Sequence, residues 1–144
     1  MRFETTTPAG AKERLDEGWI QLDVRTPEEF DASHAPGAYN IPVALRHPSG
    51  QMALNDKFVE EVGRHFPPES QLVLVCAAGM RSARACEMLV AAGYQHLVNM
   101  YGGFSGARDM SGQVVERGWQ DCGYPVVNGP CEERGYPALQ GDKD

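Results

Sequence analysis

Cys76 lies between the most hydrophobic run of the chain and a short loop that contains Gly79 and ends at Arg81 and Ser82. A cysteine in this position faces the backbone N–H groups of the loop and the positive end of the following helix, which lower the pKa of a thiol and raise its reactivity. Gly79 allows the loop to turn through backbone angles that a Cβ disfavours. Arg81 adds a fixed positive charge next to a bound anion. We therefore predict a reactive Cys76 rather than a cysteine that only fills the core.

Two kinds of chemistry fit a thiolate in such a loop. The thiolate can attack the phosphorus of a phosphate ester, or it can accept a sulfane sulfur and hold it as a persulfide. The phosphatase arrangement resembles C-x5-R, whereas Cys76 and Arg81 are spaced as C-x4-R. A loop that is one residue shorter suits a single sulfur atom better than a tetrahedral oxyanion. We expect sulfur transfer, with Cys76 as the catalytic residue and these loop residues binding the substrate: Ala77, Ala78, Gly79, Met80 and Arg81.

The elements that position this loop can be read from caps, glycines and apolar periodicity. In chain order the pattern predicts strands at 3–5, 19–24, 38–41, 72–75 and 97–99. It predicts helices at 7–17, from 26, from 55 to 66, at 82–92 and from 102 to about 117, with an irregular connection at 42–53. Alternation of this kind indicates an α/β fold with a largely parallel sheet. Ligands bind beyond the carboxyl ends of such strands, which is where Cys76 lies.

Composition excludes several classes of protein. The 144 residues suit one domain with a hydrophobic core, since 42% are hydrophobic and 23% are charged. The net charge of −7, without a basic cluster, argues against nucleic-acid binding. The longest apolar run, 72–78, is too short to cross a membrane. The N-terminus lacks the apolar core of an export signal, so we expect a cytoplasmic location.

The cysteine pattern argues against a metal centre. The four cysteines form no C-x2-C or C-x4-C pair, which disfavours a zinc site and a thioredoxin-like redox pair. We predict no metal and no cofactor, and free thiols in a reducing compartment. Cys86 is expected to pack in the core of its helix. Cys122 and Cys131 are expected to be exposed bystanders, the alternatives being that they resolve a persulfide or pair with each other.

Three segments in order resemble the rhodanese-like family of single-domain sulfurtransferases, over about 7–127. They are 22–30 with its continuation 34–42, then 76–82, and finally 102–104 with Trp119 and 123–126. The resemblance implies a rhodanese-like domain at 1–127, in which a central parallel five-stranded sheet is flanked by helices on both faces. Residues 128–144 are expected to form an irregular C-terminal tail that is packed partly on the surface or is disordered at its end.

The resemblance also implies a ping-pong mechanism. Cys76 would take sulfur from thiosulfate or another persulfide source, and pass it to a thiophilic acceptor such as cyanide or a thiol. The expected partners are a small-molecule donor and acceptor, with a protein thiol as a further candidate, and neither nucleic acid nor membrane. Asp23, Arg25 and Ser82 would give structural support, the first two as an ion pair. His34 would stabilise a turn rather than act as a base.

One position departs from the family pattern. Members that use thiosulfate well often carry a charged residue directly after the cysteine, where this chain has Ala77. A protein persulfide or another sulfane source is then the preferred donor. Two alternatives stand beside the sulfurtransferase: a sulfur-carrier or interaction module with little small-molecule turnover, and a small cysteine-dependent phosphatase or arsenate reductase.

Overall fold

A computed structural model of the chain describes residues 3–140. The α-helices in this range are α1 (Pro8–Asp16), α2 (Pro27–Ala32), α3 (Phe58–His65), α4 (Met80–Ala91) and α5 (Tyr136–Leu139). The strands are β1 (Glu4–Thr6), β2 (Ile20–Asp23), β3 (Tyr39–Asn40), β4 (Ala44–Arg46), β5 (Met52–Leu54), β6 (Gln71–Val75), β7 (His96–Met100), β8 (Ala107–Arg108) and β9 (Val114–Glu116). No helix of residues 3–140 combines the length and apolar character needed to cross a membrane.

Five strands form a parallel sheet in the order β1-β7-β6-β2-β3. β6 lies in the middle, with Leu74 opposite Leu22 of β2 on one side and Asn99 of β7 on the other. Because all five strands run in the same direction, their carboxyl ends meet at one edge of the sheet. Cys76 follows β6 at the centre of that edge. The predicted parallel five-stranded sheet is therefore confirmed.

The two faces of the sheet are covered by different helices. Side chains alternate along β6, so that Leu72 and Leu74 pack in the core that contains α3, α4 and α5. Val73 and Val75 face the other way and share a second core with Ala11 of α1. This continuous apolar run is typical of a parallel strand that is buried on both faces. Helices flank both faces of the sheet, as predicted.

The cap signals read from the sequence are present at the first two helices. The Thr7 side chain accepts a hydrogen bond from the N–H of Gly10 over 3.3 Å, and Pro8 occupies the first turn of α1. Thr26 and Glu29 form a capping box at the start of α2. These local signals explain why both helices begin where the sequence predicted.

The helix predicted from 102 to about 117 is wrong. The segment forms a tight turn followed by the antiparallel hairpin β8–β9. Gly103 has a φ of +55°, and a Cβ there would lie 2.3 Å from the carbonyl oxygen of Cys76. The N–H groups of Phe104 and Ser105 donate to the carbonyls of Cys76 and Ala77, both over 2.8 Å. The backbone donors of this turn are therefore used to hold the cysteine loop instead of forming a helix.

Two further segments differ from the expectations. The connection 42–53 was expected to be irregular, but it contains most of the antiparallel hairpin β4–β5. The tail was expected to be irregular, but its described part contains α5, whose Tyr136 and Leu139 are 8% and 5% exposed and pack in the core with α3. His65 of α3 also bonds the carbonyl of Leu139 over 2.8 Å. This part of the tail is an element of the core. The disorder expected at the end of the tail concerns residues 141–144, which lie outside the described residues.

Candidate active site

The thiol of Cys76 is buried at the carboxyl edge of the sheet and is surrounded by donors. Only 1% of the residue is exposed. Its Sγ accepts hydrogen bonds from the N–H of Gly79 at 3.1 Å and from the N–H of Ser82 at 3.3 Å. The Ser82 hydroxyl lies 3.4 Å from the same sulfur. The loop and the first turn of α4 therefore curl around the sulfur and direct positive dipoles toward it.

The carbonyl groups of this loop are held from outside by the turn that follows β7. The three bonds are Phe104 N–H to Cys76 O at 2.8 Å, Ser105 N–H to Ala77 O at 2.8 Å, and Gly102 N–H to Ala78 O at 2.9 Å. Within residues 3–140, four N–H groups of the loop have no acceptor in the protein: those of Ala77, Ala78, Met80 and Arg81. With its carbonyls occupied, the loop leaves these N–H groups free to donate to an anion.

Arg81 hydrogen-bonds Glu29 of α2 through both of its terminal nitrogens. Nη1 donates to Oε1 over 2.9 Å and Nη2 donates to Oε2 over 3.1 Å. Burial raises the pKa of Glu29, but the hydrogen bonds from Arg81 and Thr26 outweigh it and hold the pKa at about 2. The bond to Glu29 in turn raises the pKa of Arg81 above its usual range. The positive charge predicted beside the loop is present on the guanidinium of Arg81, but its two hydrogen bonds are donated to Glu29 of α2.

Asp23 and Arg25 form a buried ion pair after β2. Arg25 Nη2 lies 2.8 Å from Asp23 Oδ2 and Arg25 Nε lies 3.0 Å from Oδ1. Arg25 also donates to the carbonyl of Ser33 over 2.7 Å, and its guanidinium carbon lies 4.4 Å from the ring centre of Phe104. Arg25 therefore contacts the ring of the same residue whose N–H donates to the carbonyl of Cys76. His34 donates to the carbonyl of Phe30 over 2.8 Å and stacks on its ring.

Asn99 of β7 lies at the site but was not predicted from the sequence. Its side-chain oxygen lies 2.5 Å from the Ser82 hydroxyl, and its nitrogen donates to the carbonyl of Gly79 over 3.3 Å. Asn99 is 3% exposed, in a strand whose other inward residues are apolar. A polar residue inside an otherwise apolar strand was the available signal, because a buried amide needs polar partners.

The other cysteines differ sharply in environment. Cys86, on α4, is fully buried, and this burial, with a smaller contribution from the nearby Cys76 and Glu87, raises the pKa of its thiol to about 12. Cys122 and Cys131 are free and partly exposed. Within residues 3–140 no group of three or more histidine, cysteine, aspartate or glutamate side chains is arranged to hold a metal ion.

Residues 7–109 match the family described as Rhodanese-like domain. The chain is 41% identical over 95 residues to Thiosulfate sulfurtransferase 16, chloroplastic, of Arabidopsis thaliana, a match that covers 66% of this chain and 78% of that protein. It is 40% identical over 102 residues to Protein HIGH ARSENIC CONTENT 1, mitochondrial, of the same plant, covering 71% of this chain. This match spans 60% of the second relative, and a separate match spans 56% of the Senescence-associated protein DIN1 of Raphanus sativus. Part of each of these two proteins therefore has no counterpart in this chain.

Solved structures agree with the sequence match. The crystal structure of Rv0390 from M. tuberculosis superposes with a TM-score of 0.74 at 25% identity, covering 90% of this chain and all of that one. A rhodanese-like domain protein from Staphylococcus aureus superposes with a TM-score of 0.54 at 30% identity, covering 72% of this chain and 87% of that one. Together with the parallel sheet and the cysteine loop at its carboxyl edge, these matches show that the chain belongs to the rhodanese-like domain family.

Proposed function

We propose that this protein is a sulfurtransferase that carries a sulfane sulfur as a persulfide on Cys76. The observation that supports this most directly is the set of neutral donors around the sulfur. The N–H groups of Gly79 and Ser82 lie within 3.3 Å of Sγ, and further N–H groups of the loop have no acceptor in the described part of the chain. Such donors stabilise a persulfide anion without transferring a proton to it. The name of the relative Thiosulfate sulfurtransferase 16 is consistent with this chemistry.

Each half-reaction breaks one sulfur–sulfur bond and forms one new bond to the transferred sulfur, which is a carbon–sulfur bond when cyanide is the acceptor. During loading from thiosulfate, the Cys76 thiolate attacks the outer sulfur, the sulfur–sulfur bond of thiosulfate breaks, and sulfite leaves with the electron pair. During discharge, cyanide or a thiolate attacks the outer sulfur of the persulfide, and Cys76 leaves as a thiolate. The negative charge returns to Sγ in each cycle, where the N–H groups of Gly79 and Ser82 stabilise it.

The exposed residues that border the loop favour a protein thiol as the acceptor. Met80 is 80% exposed and Tyr101 is 41% exposed, and a Cβ on Gly79 would lie 3.2 Å from the Cα of Tyr101. Apolar side chains thus border the loop, Ala77 adds no charge, and Arg81 is bonded to Glu29. Exposed apolar groups fit a polypeptide surface better than a small dianion. This observation favours the alternative of a sulfur-carrier module that exchanges sulfur with a partner protein.

The phosphatase or arsenate reductase alternative requires a tetrahedral oxyanion in the loop. Tetrahedral oxyanions are bound best by a guanidinium with free N–H groups, whereas Arg81 bonds Glu29 through both terminal nitrogens. One relative carries arsenic in its name, HIGH ARSENIC CONTENT 1, at 40% identity. Arsenate is therefore the oxyanion to include as a comparison substrate.

The cytoplasmic location expected from the sequence stays a prediction. The relative HIGH ARSENIC CONTENT 1 is named mitochondrial and Thiosulfate sulfurtransferase 16 is named chloroplastic.

Intact-mass measurement after exposure to thiosulfate, 3-mercaptopyruvate and a polysulfide tests the proposal. We expect the wild type to gain one sulfur that cyanide removes, and Cys76→Ser to gain none. Cys122→Ser and Cys131→Ser are matched controls that should load like the wild type. Failure of the folded, reduced wild type to load from any of the three donors would contradict the small-donor enzyme. Turnover of arsenate or a phosphate ester without sulfur loading would support the oxyanion alternative instead.

A further inference from the structure

Asn99 connects the cysteine loop to the neighbouring strand through both ends of its side-chain amide. It lies on β7, opposite Leu74 of β6, and is 3% exposed. Its Nδ2 donates to the carbonyl of Gly79 over 3.3 Å, and its Oδ1 lies 2.5 Å from the hydroxyl oxygen of Ser82. That hydroxyl is also within 3.4 Å of the Cys76 sulfur. One side chain therefore contacts two of the residues whose groups approach the reactive sulfur.

The orientation of this amide is determined by its partners. The Gly79 carbonyl can only accept, so the nitrogen of Asn99 must face it and the oxygen must face Ser82. The reverse orientation would place two acceptor oxygens against each other at Gly79. Asn99 therefore presents an acceptor to the Ser82 hydroxyl and cannot donate to it.

The Ser82 hydroxyl has one proton and two acceptors within reach. When Cys76 is a neutral thiol, the Ser82 hydroxyl donates to the oxygen of Asn99 over the short contact, and the thiol donates to the Ser82 oxygen. When the sulfur carries negative charge, the hydroxyl gains more by donating to the sulfur, because hydrogen bonds to ions are stronger than those between neutral groups. The oxygen of Asn99 then faces the lone pairs of Ser82 and loses its donor.

We propose that Asn99 is a positioning residue that competes with Cys76 for the proton of the Ser82 hydroxyl. By this competition Asn99 opposes the accumulation of negative charge on the sulfur in the resting protein. The role in turnover rests on the proposed sulfur transfer: when Cys76 leaves as a thiolate during discharge, the hydroxyl turns from Asn99 to the sulfur. The competition itself is a property of the thiol and exists without any donor.

The other charged groups around Cys76 are not altered by changes at Asn99 or Ser82. Arg81 interacts electrostatically with Cys76 and with Asp23, and is bonded to Glu29. Asp23 is paired with Arg25. Burial raises the pKa of Cys86, the second thiol near Cys76, to about 12, so Cys86 is protonated near neutral pH.

The test is a pH titration of thiolate absorbance in the ultraviolet, taken as the difference between each protein and its Cys76→Ser counterpart. Asn99→Ala removes the competing acceptor, so the ionisation midpoint of Cys76 should move to lower pH. Ser82→Ala removes the hydroxyl donor, so the midpoint should move to higher pH. Each shift should be about one pH unit, the size expected for a hydrogen bond to a charged group. The double variant should match Ser82→Ala alone, because Asn99 acts through the hydroxyl.

Asn99→Asp is a second variant, for which the opposite shift is expected. A carboxylate keeps the acceptor and adds negative charge, so the midpoint should move to higher pH, opposite to Asn99→Ala. A shift of Asn99→Asp to lower pH, in the same direction as the shift of Asn99→Ala, would overturn the proposal. An unchanged midpoint in Asn99→Ala would overturn the proposal as well. So would a midpoint in the double variant that differs from the midpoint of Ser82→Ala alone. No sulfur donor is used, so either result is independent of whether Cys76 accepts sulfur.

Discussion

Arg81 of the cysteine loop is joined to Glu29 at the start of α2 by two hydrogen bonds of 2.9 and 3.1 Å. Glu29 is at the same time the third residue of α2, where it completes the capping box by accepting from the N–H of Thr26 over 3.0 Å. One carboxylate therefore anchors the first turn of α2 and the first turn of α4. This link fixes the position of Arg81 relative to the thiol and reduces its capacity to bind an oxyanion.

Glu29→Gln should reduce the free energy of unfolding by about 1 kcal/mol at most, because the pair is partly exposed and screened by solvent. Glutamine keeps the capping box, so the change isolates the charge. The folded-state pKa of Glu29, about 2, lies below its ordinary 4.5. The charge therefore stabilises the fold above pH 4.5, and this contribution is lost as the pH falls toward 2. Urea denaturation of both proteins at neutral pH and near pH 3 measures the difference.

The matched control is Glu28→Gln, which changes an exposed carboxylate in the same turn of the same helix. We expect it to alter stability by less than about 0.5 kcal/mol at either pH. A stability difference for Glu29→Gln that grows as the pH falls would have the wrong sign and would contradict the assignment of the lowered pKa.

Gly103→Ala should disrupt the cysteine loop. A Cβ at this position would lie 2.3 Å from the carbonyl oxygen of Cys76 and 2.6 Å from that of Ala77, and the φ of +55° adds strain. We expect a loss of at least about 3 kcal/mol in the free energy of unfolding. Gly123→Ala is the matched control, since its φ is +82° but nothing lies within 4 Å of the added Cβ. That control should cost only about 1–2 kcal/mol, and equal losses in the two variants would show that the close approach at Gly103 is not decisive.

The sequence predicted the centre of the fold because its signals there are local. The apolar run of β6, the glycine in the loop and the start of α4 are adjacent in the chain, and their combination places Cys76 at the carboxyl edge of the sheet. The caps at Thr7 and Thr26 are equally local. Each of these features depends on residues within a few positions, so periodicity and caps were sufficient to find it.

The sequence did not predict features that depend on distant partners. The turn at 102–106 is not helical because its N–H groups bond the carbonyls of 76–78, about 25 positions earlier. Arg81 bonds a residue that is 52 positions away, and Asn99 bonds Ser82 at a separation of 17. The tail reads as polar and irregular, yet Tyr136 reaches Glu61 across 75 positions. A pattern within one segment carries no information about which other segment will supply its partner.

Tyr136→Phe should destabilise the protein, because it leaves the buried Glu61 carboxylate without one of its donors. The Tyr136 hydroxyl lies 3.0 Å from both oxygens of Glu61, which is 3% exposed. The expected loss in the free energy of unfolding is about 1–3 kcal/mol. Tyr124→Phe, whose ring packs on Trp119, is the matched control and should change stability by less than about 0.5 kcal/mol.

The contact between Tyr136 and Glu61 leads us to expect that the protein loses stability at high pH. Burial, followed by the contact with Glu61, raises the pKa of Tyr136 from 10 to about 12. The neutral phenol therefore stabilises the fold fully below pH 10, and this contribution is lost as the pH rises toward 12. Urea denaturation at neutral pH and near pH 11 should show this extra loss in the wild type and not in Tyr136→Phe. An identical alkaline loss in both proteins would mean that Tyr136 does not titrate in this way.

Cys86 should be inert in the folded protein although it lies one turn beyond Ser82 on α4. Burial raises the pKa of its thiol from 9.0 to about 12, and a thiol reacts as its thiolate. Brief alkylation with iodoacetamide near neutral pH, followed by peptide mapping, should label Cys122 and Cys131 and leave Cys86 unmodified. Unfolding in urea should make Cys86 react as fast as the other two. Cys86→Ala should still load sulfur on Cys76, whereas labelling of native Cys86 at the rate of Cys122 would show that the core around α4 opens more easily than its burial indicates.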